Sequence, residues 1–299
     1  MIQENFQENY PSILKEEEKP PQRRKTRAWL HVLLIGLLLY GVSVVVLILT
    51  ANPNLFPTVV MLGSFLVPIT YVAFFYERRH LSKLALPTTA LSFFYGGVLG
   101  VLASSLLEPI FVRQLSFLSM MAIGLIEEFA KILGVLVIAR RWRHNSEMDG
   151  LILGAAAGMG FAALESNGYA FSAFLQSGGS LSATVWIILL RGVLSPIGHG
   201  TWTAILASVL FRESGAHHFH INLKVIGAYL TVSLLHGLWD GLPGVIGMVF
   251  SNGLDVFTGQ ALVGAIGFFL LWWRYREAKR LQIENQQNEE SSILFQGSD

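Results

Sequence analysis

The stretch FLSMMAIGLIEEFAKILGVLVIA, residues 117–139, decides how this chain is read. Apart from Glu127, Glu128 and Lys131 it carries no charge, and its length suffices for a helix across a bilayer core of about 30 Å. A charge at the centre of a bilayer costs about 2.5–3.5 kcal/mol on insertion scales, so three within about one turn are not a neutral accident. Further apolar stretches carry Glu165, then Arg191 and His199, then His236 and Asp240. Facing lipid, six such charges would cost on the order of 15–21 kcal/mol, more than the about 5–15 kcal/mol that holds a typical domain together. They are therefore expected to face one another across a shared, partly hydrated cavity, the signature of an active site or a transport path.

The whole chain fits that environment. It has 299 residues, 53% hydrophobic and 14% charged, with a mean hydropathy of +0.52. A soluble domain carries about 25% charged residues. There is no cysteine, which excludes disulfides, thiolate metal sites and a cysteine nucleophile. The first 28 residues are polar and the first apolar run is long enough to span, so no cleavable signal peptide is expected.

Eight stretches are long and apolar enough to cross: Trp29–Thr50, Phe56–Tyr76, Thr89–Leu107, Phe117–Ala139, Gly150–Leu175, Ala183–Phe211, Val225–Phe250 and Val256–Trp273. Lysine and arginine then orient them. The N-terminal tail, the second, fourth and sixth connections and the C-terminal end together hold eighteen of the 21, and the opposite connections hold only Arg113. That bias predicts an all-α, eight-span integral membrane bundle over residues 29–275 with both termini cytoplasmic.

The tails, residues 1–28 and 276–299, lack apolar periodicity and are expected to be disordered and cytoplasmic. Leu294-Phe295-Gln296-Gly297 resembles a viral-protease tag remnant. His217, His218 and His220 have the look of a metal cluster, but they fall in a predicted cytoplasmic connection and read as a solvated loop.

Within the spans, spacing suggests roles. Glu127 and Glu128 lie four and three residues before Lys131, on one helical face, and one lysine cannot neutralise both carboxylates. The second needs another partner, a cation or a proton, and a carboxyl poised near neutrality suits general-base work on water. Glu165 has no partner on its own helix. Pro196 interrupts the sixth span just before Gly198-His199-Gly200, and broken helices at membrane depth line enclosed cavities. Arg191 lies eight residues earlier, about 12 Å along a straight helix. It either balances a carboxylate or holds a substrate carbonyl. His236 and Asp240, four apart, suit an imidazole whose tautomer an aspartate fixes.

At these residues the chain resembles the PrsW family of membrane-embedded peptidases, within the larger group of CAAX prenyl endopeptidases and bacteriocin-processing relatives. The pieces are Glu127-Glu128-Phe129-Ala130-Lys131, then Gly160 through Glu165, then Arg191 with Pro196 and Gly198-His199, then His236 through Asp240. Four pieces in order on adjacent spans carry the likeness, which covers roughly residues 30–275. The resemblance implies an intramembrane peptidase without a serine or cysteine nucleophile, multi-pass in the plasma membrane. It implies Glu127 or Glu128 as general base. It gives His199, His236 and Asp240 proton transfer and oxyanion stabilisation, with Lys131 and Arg191 supporting. At Glu165 the prenyl endopeptidases have histidine, whereas glutamate is usual in PrsW-like sequences; the difference argues against a CAAX substrate and leaves the base assignment open. The implied substrate is a single-span membrane protein or peptide, anti-sigma factors among them, and no nucleic acid.

Other intramembrane protease signatures are absent: there is no His-Glu-x-x-His, Gly-x-Ser-Gly or Gly-x-Gly-Asp element. No cofactor is required by this reading. An alternative takes Glu127, Glu128, Glu165, His199 and His236 as a ligand set for zinc. Buried carboxylates and histidines also build proton relays, so a proton- or cation-coupled transporter is a reading of another class, and a non-catalytic receptor or scaffold a third.

Overall fold

A computed structural model describes residues 27–79, 82–114, 116–140, 146–215, 218–249 and 256–296. Its long elements are α-helices: α1 (Ala28–Thr50), α2 (Phe56–Glu77), α3 (Leu86–Phe111), α4 (Phe117–Ala139), α5 (Glu147–Gln176), α6 (Leu181–Leu194), α7 (His199–Glu213), α8 (Leu223–Val249) and α9 (Val256–Gln296). The described residues contain no strand. Apolar stretches this long leave their backbone groups unsatisfied in lipid unless each bonds within its own helix.

Six segments are long and apolar enough to cross a membrane by themselves: α1, α2 with the short turn before it, α3, α5, the α6–α7 pair taken as one, and α8. α4, which carries three charges, and α9 are not among them. The exterior is apolar, as a lipid-facing surface requires: Leu38, Leu49, Leu102, Leu106, Leu118 and Leu262 are all exposed.

α4 begins where Ser116 and Ser119 cap each other's backbone N–H groups, at 3.2 and 2.6 Å. α5 is the central post, buried along nearly its whole length and packed chiefly against α7 and α3. Its small residues make that possible. A Cβ on Gly158 would stand 2.2 Å from the carbonyl oxygen of His199, so only glycine lets α7 start this close to α5.

The predicted sixth span is two helices. Pro196 sits in a 3-10 turn, Ser195–Ile197, and the Thr201 hydroxyl donates to the Pro196 carbonyl at 2.8 Å. α7 therefore opens on His199 itself. At the C-terminal end the sequence suggests a disordered tail from residue 276, but α9 runs unbroken to Gln296. Arg274, which serves in the sequence only as a topology marker, is buried there. It pairs with Glu147 at 2.6 Å and donates from Nε to the Ser208 hydroxyl at 3.1 Å, tying α9 to α5 and α7. The N-terminal tail, apart from its last residues, lies outside the described residues.

Candidate active site

Five helices, α4 to α8, bring the ionisable groups into one pocket. Three belong to α4. Lys131 is fully buried, and its ammonium donates to Glu127 Oε2 at 3.0 Å, to Glu128 Oε1 at 2.9 Å and to His199 Nδ1 at 2.8 Å. The Phe161 ring lies 4.1 Å from the same nitrogen.

The two glutamates differ sharply in their surroundings. Glu128 is fully buried and accepts from Lys131, from the Thr203 hydroxyl at 3.0 Å and from His236 Nδ1 at 3.1 Å. Glu127 accepts one hydrogen bond among the described residues, from Lys131. Its Oε2 otherwise faces two imidazole nitrogens, His236 Nε2 at 3.5 Å and His199 Nδ1 at 3.8 Å.

Both histidines are held at one nitrogen by a carboxylate. His199 Nε2 meets Glu165 Oε2 at 3.1 Å, and the lysine bond on Nδ1 assigns the proton to Nε2. His236 Nδ1 meets Glu128, which turns Nε2 toward Glu127 and toward Asp240 Oδ2 at 3.4 Å. Trp202 stacks on His236 with ring centroids 4.5 Å apart, and the two imidazoles stand 5.0 Å apart.

Glu165 finds its partners across helices, as an isolated buried carboxylate must. Arg191 Nη2 reaches it at 2.5 Å while Arg191 Nε donates to Ser166 at 2.9 Å. A straight helix would separate Arg191 from His199 by about 12 Å. The 3-10 turn breaks that helix, and the long arginine side chain spans the rest, so both residues meet the same Glu165 oxygen.

Asp240 is the more exposed of the carboxylates around His236, its side chain 34% exposed against 8% for Glu127. Glu108, near the end of α3, is close enough to interact electrostatically with Glu165, His236, Lys131 and Asp240. Sequence reasoning missed Glu108, placed just past a predicted span end, as well as Thr203 and Trp202. Thr203 was within reach of it, because it lies four residues after His199 on the same helix face. His218 and His220 are exposed and stand apart from this pocket, and His217 lies outside the described residues.

Among the described residues, one group has donor atoms that suit a metal ion: Glu127, His199 and His236, all within 4.8 Å of one another. Residues 84–273 match the PrsW family intramembrane metalloprotease. The chain belongs to that family. Compared with curated proteins and with solved structures, it finds no match. Membership in the PrsW family makes the protein an integral membrane peptidase, and the transporter and scaffold readings fall away. The family's description as a metalloprotease leans toward a metal, and the Glu127, His199 and His236 donors fit one. The fit extends beyond those three atoms. Each histidine offers one nitrogen to the centre and commits the other to a carboxylate, the outer-shell arrangement that fixes metal-bound imidazoles.

Proposed function

We propose that Glu127, His199 and His236 are the reaction centre of a metal-dependent peptidase that cuts a peptide bond of a membrane protein. The observation that carries this is the double carboxylate–imidazole pairing, Glu128 with His236 and Glu165 with His199, around a shared glutamate. A divalent metal such as zinc would be held by Glu127, His199 and His236, and would supply Lewis-acid polarisation of the peptide carbonyl and a water that ionises near neutral pH.

The chain's own residues do the rest. Glu128 accepts the Nδ1 proton of His236 and is saturated by three donors, so it orients and does not exchange protons. Glu165 does the same for His199, with Arg191 fixing the carboxylate in turn. Its contact with Glu165 supports the balancing one of the two roles that the sequence leaves to Arg191. Asp240, the most accessible carboxylate beside His236, takes the proton of the attacking water. The water oxygen bonds to the carbonyl carbon, the C–N bond breaks, and the proton on Asp240 passes to the amine nitrogen.

The reading extends to the surroundings. The distribution of lysine and arginine supports eight passes with both termini cytoplasmic, in the plasma membrane. An apolar cleft of about 670 Å³ between α1, α2, α6 and α9 has Pro196, Ile197 and Thr201 in its wall, beside the turn that carries His199. It supports a single-span substrate reaching the site from the bilayer side. A second reading, Glu127 as general base without a metal, is favoured by the lysine bond on His199 Nδ1.

The deciding experiment measures metal content and cleavage of a membrane-protein substrate on the same purified protein in vesicles. One metal per chain, lost together with cleavage in His199→Ala and His236→Ala, is expected. Full cleavage by a protein stripped of metal in strong chelator would overturn the metal centre and select the second reading.

A further inference from the structure

Two of the three residues suited to a metal already hold the Lys131 ammonium. His199 Nδ1 has a single lone pair, and it accepts a hydrogen bond from Lys131 Nζ at 2.8 Å. The same ammonium lies 3.0 Å from Glu127 Oε2, the carboxylate oxygen nearest both imidazoles. A lone pair bound to a metal cannot also accept from an ammonium, and a lysine cation this close to a divalent ion is strongly repelled. Lys131 and a metal therefore exclude each other at His199 and Glu127.

Resting on the metal reading above, we propose that Lys131 is a built-in competitor for the metal seat: its ammonium occupies the place when the metal is out, and gives up His199 and Glu127 when the metal enters. The exchange has somewhere to go. Glu128 already accepts from Nζ at 2.9 Å and keeps Thr203 and His236 as further donors, so the lysine can remain on Glu128 alone. Phe161, with its ring 4.1 Å from Nζ, continues to face the cation there. Burial gives the arrangement its purpose. Glu127, Glu128 and Lys131 are all buried, and two carboxylates without a counter-cation would be costly, so the lysine keeps the metal-free pocket folded. The consequence is a weakened apparent affinity. Only the fraction of molecules whose lysine has stepped aside can bind, and the apparent Kd rises by the inverse of that fraction.

The test compares zinc binding to the purified full chain and to Lys131→Met, which removes the charge at similar volume, by equilibrium dialysis. Emission from the tryptophans, Trp202 being stacked on His236, gives an independent titration. The expected result is a Kd at least about tenfold lower in Lys131→Met, with a larger rise in thermal stability on zinc addition than the unaltered protein shows. Lys131→Gln, which keeps a hydrogen-bond donor without the charge, should tighten binding too and covers the case where the methionine variant does not fold. An unaltered protein that binds zinc, beside variants that bind it no more tightly or less tightly, would overturn the competition while leaving the metal centre standing. Absence of zinc binding in the unaltered protein and the variants alike, with cleavage intact, would bring down both.

Discussion

His236 Nδ1 lies 3.1 Å from Glu128 Oε1, a contact between residues 108 apart in the chain, and Gly124 is what permits it. A Cβ at Gly124 would stand 2.4 Å from the Ser233 carbonyl and 2.8 Å from the Gly237 nitrogen, so α8 rests directly on the backbone of α4. Helices this close need small residues at the crossing. Gly124→Val should push α8 outward, separate His236 from Glu128 and abolish cleavage. Gly168→Ala is the control, because a Cβ there meets nothing within 4 Å. Equal cleavage by the two variants would show that the contact is dispensable.

Glu127 and Glu128 are adjacent in sequence and should fail differently. Glu128→Ala removes the acceptor of three buried donors, Lys131 among them, and breaking a buried ion pair by deleting one partner costs about 3–5 kcal/mol. Its signature is poor expression and a lowered thermal midpoint. Glu127→Gln keeps a carbonyl oxygen for Lys131 and should fold. Its loss of cleavage should exceed the about 10–100-fold that altering an outer-shell partner costs. Thermal unfolding and cleavage measured side by side decide it: the reverse pattern would exchange the two roles.

Thr203 tests the outer shell by itself. Its hydroxyl donates to Glu128 Oε2 at 3.0 Å and touches neither histidine through that bond. Thr203→Val should cost about 1 kcal/mol of stability and about tenfold in metal affinity or cleavage, whereas Thr203→Ser should behave as the parent. A valine variant with parental zinc affinity and parental cleavage would remove Glu128 from the orienting role.

Much of this was legible before any coordinates. The charge cost of Glu127, Glu128 and Lys131 in an apolar stretch forces a shared polar interior, and the structure places those three with Glu165, Arg191, His199, His236 and Asp240 in one pocket. α4 begins and ends where its hydropathy does, at Phe117 and Ala139. What spacing along single helices could not reveal is which groups meet across helices. Whether Lys131 reaches His199, or Arg191 and His199 share one oxygen, depends on where Pro196 breaks the helix and on which glycines let backbones touch. The continuation of α9 to Gln296 was hidden for another reason. Its polar residues have no apolar stripe, and the contacts that hold the helix from which they extend, Arg274 with Glu147 and Ser208 and Glu277 with Arg212, join residues far apart in the chain.

Arg191 and Glu165 offer a test by exchange of both partners. Arg191 Nη2 sits 2.5 Å from Glu165 Oε2, with both side chains about one-fifth exposed, and His199 Nε2 shares that oxygen. Arg191→Met leaves the carboxylate with the histidine as its remaining partner. It should cost about 1.5–3 kcal/mol, the range for hydrogen bonds to charged groups, with solvent reducing it toward the lower end. Glu165→Gln added to Arg191→Met removes the uncompensated charge and should recover most of that stability. Cleavage should not return with it, because an amide oxygen orients the His199 proton more weakly than a carboxylate does. A double-mutant cycle on thermal stability, paired with cleavage rates for all four proteins, separates the two effects. If the double variant regains cleavage along with stability, Glu165 acts only as a packing partner of Arg191 and its proposed hold on His199 falls.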